Sequence, residues 1–208
     1  MRFLALCVIP ALVLLGGVVP GVRAEQAGMT NKDALFPLEL GTLWKYQITE
    51  LDEEGKTIRT RAGTSQVVGV HLIDGKRWFN VFEMGYGFWV RNTPLGMEEA
   101  DISLDEETMQ LKTRAPRLFF KYPAMKGETY DLDEELDDYK MVVTDVKQKV
   151  TVPAGTYECV VYDVMEGGEP SNRFYLAPGI GLVKFQQSAE MTESGRAEVI
   201  EMTSFTRP

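Results

Sequence analysis

The sequence predicts an all-β protein of antiparallel strands, arranged as a curved sheet or a β-sandwich. Three observations predict it. Apolar and polar residues alternate over short runs, as where Trp44, Tyr46 and Ile48 are interleaved with Lys45, Gln47 and Thr49. Turn residues punctuate those runs at intervals of about 8–12 residues. Helical periodicity is sparse, and the best helical candidate is Leu104–Lys112.

The elements follow in order. Phe3 to Val19 is apolar apart from Pro10, Gly16 and Gly17, and Val22-Arg23-Ala24 ends on the small residue a signal peptidase requires. Residues 1–24 therefore read as a secretory signal cut before Glu25, and the protein as exported to the periplasm or beyond. Pro10, Gly16, Gly17 and Pro20 break up the run as a membrane-spanning helix, and no later stretch reaches the ~20 apolar residues a span needs. Residues 25–34 are a loose lead-in, and 35–208 read as a single all-β domain. Strands are expected at 44–49, from Lys56 to Val70, and over Val67–Ile73. Asp74-Gly75 is a strong hairpin signal leading into Lys76–Met84. Further strands are expected at Tyr86–Arg91, Met109–Arg114, Arg117–Tyr122, Thr129–Leu132, Tyr139–Val152, Tyr157–Met165, Arg173–Leu176, Leu182–Ala189 and Ala197–Phe205. Val152-Pro153-Ala154-Gly155-Thr156 and Ala177-Pro178-Gly179-Ile180-Gly181 read as turns, with proline presetting a corner and glycine supplying positive φ.

A weak internal repeat links 36–46 with 122–132. An aromatic-Pro pair, a glycine four residues after the proline and an aromatic three residues later recur in Phe36-Pro37, Gly41 and Trp44, and in Tyr122-Pro123, Gly127 and Tyr130. Proline ends the incoming segment, glycine turns it, and the aromatic anchors the next strand. The two stretches are expected to be equivalent corners of two half-sheets.

Composition excludes more than it selects. The 208 residues carry 22 Lys+Arg against 31 Asp+Glu, a net charge of −9. That balance opposes binding to nucleic acid or to an anionic membrane surface. Removal of residues 1–24 takes away two arginines and no acid. It also takes Cys7, leaving Cys159 as a lone thiol with no intrachain disulfide available. Cys159, in Tyr157-Glu158-Cys159-Val160-Val161, reads as a small buried strand residue. His71 is the sole histidine, and Gly-x-Ser-x-Gly elbows, phosphate loops and dinucleotide fingerprints are absent. No catalytic constellation, cofactor or metal site is assigned, and the protein reads as a non-enzyme. Asp131 to Asp138 resembles a calcium loop only superficially, because glycine is missing at the sixth place and glutamate at the twelfth. Glu98-Glu99-Ala100-Asp101 and Asp105-Glu106-Glu107 read as exposed acidic turns.

Phe36–Tyr46, Val150–Val160 and Tyr175–Lys184 together resemble three signature stretches of a broad group of bacterial secreted proteins and lipoproteins. These are Pro-x-x-x-Gly-x-x-Trp-x-Tyr, Val-Pro-Ala-Gly-Thr-aromatic, and Tyr-x-Ala-Pro-Gly-Ile/Val-Gly-Leu-Val-Lys. The resemblance implies a strongly curved antiparallel sheet, similar to the half-barrel of periplasmic lipoprotein carriers. This chain lacks a lipid-modified cysteine at the end of its apolar run, so the resemblance carries over no membrane anchor.

The suggestive feature is aromatic. Trp78-Phe79-Asn80-Val81-Phe82 and Phe88-Trp89-Val90 are apolar on both strand faces, where a simple antiparallel sheet leaves one face polar. Either a second sheet covers them, or the sheet curls around an apolar groove lined by Trp78, Phe82, Phe88 and Trp89. The groove would bind an apolar ligand or a cell-envelope partner. The rival expectation is a structural or assembly subunit with no small-molecule ligand.

Overall fold

The computed structural model describes residues 34–105, 108–133, 138–192 and 194–208. The signal segment, most of the lead-in, and the middle of the 131–138 acidic run lie outside the described residues. Among the described residues, no helix is long and apolar enough to cross a membrane.

Twelve strands form one antiparallel sheet made of two six-stranded meanders. The first contains β1 (Leu43–Leu51), β2 (Thr57–Ile73), β3 (Lys76–Glu83), β4 (Tyr86–Thr93), β5 (Gly96–Asp105) and β6 (Gln110–Lys121). The second contains β7 (Thr129–Asp131), β8 (Tyr139–Val152), β9 (Gly155–Glu166), β10 (Glu169–Ala177), β11 (Gly181–Gln187) and β12 (Ala197–Thr206). Pairing of β1 with β12 joins the halves, while β6 and β7 stand at the two edges. The sheet is a curved half-barrel rather than a sandwich. Its core draws on both halves, with Trp44, Ile48, Val67, Met141, Tyr162, Leu176 and Met202 all fully buried.

The two Pro/Gly corners are built alike. Thr42 N–H donates to the Glu39 carbonyl and Glu128 N–H to the Met125 carbonyl, each at 3.0 Å. Gly41 N–H reaches Val67 O at 2.9 Å, and Gly127 N–H reaches Val143 O at 2.7 Å. Val67 and Val143 return the bond to Thr42 O and Glu128 O. Both glycines have positive φ, 90° and 85°, which glycine adopts without steric cost. The following aromatics then fix the corners across the molecule. Trp44 is 2% exposed and donates its indole N–H to Ile180 O at 2.6 Å, in the turn between β10 and β11. Tyr130 is half-buried. Its hydroxyl donates to Phe119 O and accepts from Lys121 N–H, both at 3.0 Å, on the edge strand β6.

The edges β6 and β7 meet through these side-chain contacts instead of a ladder. Tyr162, fully buried on β9, adds a 2.7 Å bond from its hydroxyl to Lys121 O. Lys121 also pairs with Glu128. The first half's opening corner docks on the second half's β10–β11 turn through Trp44 and Ile180, while Tyr122 N–H extends the β5–β6 ladder by a 2.9 Å bond to Leu95 O.

Several expectations change. Of the expected helix Leu104–Lys112, residues 106–107 lie outside the described residues, and the described residues 104, 105 and 108–112 are not helical. They form the β5–β6 hairpin, where Asp105 accepts from the Thr108 N–H and hydroxyl at 2.8 Å and Met109 takes a positive φ of 53°. The strand β5 has no counterpart in the sequence reading, because Glu98, Glu99 and Asp101 place charge on both of its faces and hide the alternation. The expected strands 109–114 and 117–122 are one strand, β6, interrupted at Ala115 by positive φ next to a register shift.

Candidate ligand cavity

Strand alternation divides the four aromatic residues singled out from sequence. Cross-strand pairs put Ser65 with Glu83, Val67 with Val81 and Val70 with Phe79, so these residues share the concave face. Phe88 and Val90 continue that face on β4, and Met97 and Glu99 on β5. Trp78 and Trp89 point to the opposite face. There Trp78 is 0% exposed in a separate small core with Ile73 and Ala100, against which Trp89, Ile102 and Leu111 pack. The Arg91 guanidinium lies 5.0 Å over the Trp78 ring and pairs with Glu98 at 2.7 Å. Phe82 is 48% exposed on the same outer face. The predicted groove of Trp78, Phe82, Phe88 and Trp89 is therefore not one site. Of the four, Phe88 faces the concave side.

The concave side holds a cavity of about 270 Å³. Its floor is Trp44, Tyr46, Val81, Val90 and Met97, all buried. Its walls are aromatic. Phe36, Phe119, Phe120 and Phe174 form a cluster, with Phe119 and Phe120 centroids 4.7 Å apart and Phe120 and Phe174 centroids 5.1 Å apart. The opening corner supplies Phe36 and Leu38, and the Asn92 side-chain amide holds that corner by donating to Phe36 O at 2.8 Å. The second half contributes Phe174 and Leu182, so the cavity lies where the two halves face each other.

Three polar side chains other than Tyr46 line it: Ser65, Glu83 and Glu99. Glu99 was read as exposed from its acidic neighbours, but β5 turns it inward. Burial raises its pKa, and Arg117, 3.6 Å away, works against that rise. Glu83 is partly buried and lines the cavity. Burial pushes its carboxyl up to about 7. Among the described residues no cation pairs with it. Burial, and secondarily the nearby Glu83 carboxyl, holds the Tyr46 phenol well above its ordinary pKa, and Tyr46 donates to Leu182 O at 3.3 Å. Sequence reasoning missed both glutamates. The signal for Glu83 was its even spacing, four and two residues, from Phe79 and Val81, which puts all three on one strand face.

The other chemical candidates sit apart from the cavity. Cys159 is fully buried, and burial pushes its thiol up to about 12, an unreactive environment. His71 is exposed with its ring edge-on to Trp89 at 5.1 Å. Among the described residues, no group of three or more His, Cys, Asp and Glu side chains is placed to hold a metal ion.

No family model matches this chain. No curated protein matches it either. Among solved structures it is similar to a candidate lipoprotein from Parabacteroides distasonis ATCC 8503, at 13% identity and TM-score 0.39, covering 84% of this chain and 99% of that one. It is also similar to a candidate exported protein with a YmcC-like fold from Bacteroides fragilis NCTC 9343, at 15% identity and TM-score 0.38, covering 83% and 98%.

Proposed function

We propose that this is an exported, non-catalytic protein that binds a small apolar ligand in the concave cavity between its two halves. The observation that carries this reading is a cavity of about 270 Å³ lined almost wholly by apolar and aromatic side chains. An apolar cavity with a few polar side chains is the usual form of a small-molecule site. This one lies near the lower end of ligand pockets, about 300–1,000 Å³, which suits a compact ring or a single short chain rather than a two-chain lipid. Export is supported by the apolar run Phe3–Val19 and the Val22-Arg23-Ala24 ending.

The test is titration with N-phenyl-1-naphthylamine, whose fluorescence rises in apolar surroundings. Saturable binding is expected, and it should be lost in Val81→Phe, which places a ring in the cavity floor. Met97→Phe serves as the second blocking variant if the first is poorly folded. Unchanged probe binding in a folded blocking variant would move the ligand site elsewhere. Absence of binding in the unaltered protein would favour a subunit whose apolar faces serve only packing.

A further inference from the structure

The carboxyl at position 83 has no structural task among the described residues, and that separates it from the other shielded acids. Glu50 is met by Arg59 and, at 3.8 Å, by Arg196. Asp163 receives two 2.6 Å bonds from Arg173. Glu99 has Arg117. Glu83 lies directly across from Ser65 on the concave face and lines the cavity without a cationic partner among the described residues. Shielded charges are ordinarily paired, because desolvating an unpaired one is costly.

We infer that the ligand of this cavity is a small lipophilic amine whose ammonium group is held by the Glu83 carboxylate. The inference rests on the reading of the cavity as a ligand site. Four features fit an amine. An ammonium supplies the charge that Glu83 lacks, and burial already disfavours the uncompensated carboxylate. The aromatic side chains of Trp44, Phe36 and Phe88 line the same cavity, and aromatic rings attract cations. Arg117, the cation beside the lining, is engaged by Glu99 and lies 5.6 Å over the Phe119 ring. A carboxylate ligand would therefore face two acidic side chains with no free cation among the described residues. Tyr46, which faces Glu83 from β1, has its proton committed to Leu182 O and does not take the place of a ligand donor.

The experiment compares three eight-carbon probes, 1-octylamine, 1-octanol and octanoate, by calorimetry at pH 7.5 on the full secreted chain. Octylamine should bind at least about tenfold more tightly than octanol, as expected for a hydrogen bond between charged partners, and octanoate should bind most weakly. Glu83→Gln should reduce octylamine to the level of octanol while leaving octanol within about twofold. Octanol or octanoate binding as well as octylamine would overturn the inference and leave the ligand cavity standing. The same holds for an amine preference that survives in Glu83→Gln. If none of the three binds, the cavity reading falls and the amine with it. The comparison of probes on the unaltered protein decides the matter even if the variant fails to fold.

Discussion

At the scale of single residues, Glu83 links stability to pH. Its folded pKa of about 7 lies above the ordinary carboxylate value of 4.5. The folded state therefore holds this proton more tightly than the unfolded chain does. The associated stability is fully present below about pH 4.5 and is lost as the pH rises to about 7. At 1.36 kcal/mol per pH unit the loss amounts to about 3 kcal/mol. Glu83→Gln should remove it, so urea unfolding at pH 8 is expected to show the variant more stable by up to about 3 kcal/mol, with little difference at pH 4. Equal stabilities at pH 8 would show that the carboxyl ionises at no cost. Trp44→Ala is the opposite case. Its buried ring and its bond to Ile180 O are both lost, and a cost of about 3–5 kcal/mol is expected by the same method. Trp44 was legible in the sequence because the Pro/Gly/aromatic spacing marks an anchor. Glu83 was not, because a charged residue at the end of an apolar run looks like a turn. Its spacing from Phe79 and Val81 gives the strand face it shares, and the cross-strand pairing with Ser65 shows that this face is the concave one.

At the scale of elements, the glycines in the turns differ sharply in what they permit. A Cβ on Gly127 would meet nothing within 4 Å, so Gly127→Ala should cost only the positive-φ penalty, about 1–2 kcal/mol. A Cβ on Gly96 would lie 2.0 Å from Phe120 O and 2.7 Å from Tyr122 N, both backbone atoms that cannot swing away. Gly96→Ala should therefore cost more than about 4 kcal/mol, or prevent folding, and would separate β5 from β6. Thermal unfolding of the two variants side by side checks the ranking, and equal losses would contradict it. The sequence announced Gly127 through its repeat. It gave no comparable signal for Gly96, because β5 itself was hidden by charges on both faces. The same ambiguity led to a helix at Leu104–Lys112, where local propensity is weak and the Asp105 turn decides the outcome. The aromatic runs of β3 and β4 were visible as apolar on both faces, yet no sequence pattern says that one face closes a small core around Trp78 while the other lines a cavity.

At the scale of the whole molecule, the two lateral boundaries of the halves are unequal. Between β12 and β1 a backbone ladder runs from Leu43 to Leu51 with one register shift at Lys45/Tyr46, whereas between β6 and β7 the hydroxyls of Tyr130 and Tyr162 take its place. Replacing both by phenylalanine leaves the rings in the core and removes three hydrogen bonds. The cost should be about 1 kcal/mol for each bond, and amide exchange at Lys121 should accelerate well beyond that at Tyr46. Uniform protection of the two amides in the double variant would mean that ring packing alone closes the seam. The curved antiparallel architecture was readable from alternation and turn spacing. The seam was not, since it depends on side-chain hydroxyls reaching backbone groups of another strand 9 to 41 positions away, which no alternation pattern marks.

The pinning of both ends of the described chain to one glycine has a topological consequence. Gly179 donates its N–H to Ala34 O at 2.7 Å, and the Arg207 guanidinium donates to Gly179 O. Ala34 and Arg207 are thus neighbours in space, and the described chain from Ala34 onward is nearly a ring. Its two Pro/Gly corners are alternative places to cut that ring. A chain permuted to begin at Lys126, with Pro208 joined to Ala34 by a short glycine linker, breaks no strand and cuts at the exposed Met125. Such a permutant should fold to the same sheet, with its ends now at the tyrosine-sealed seam.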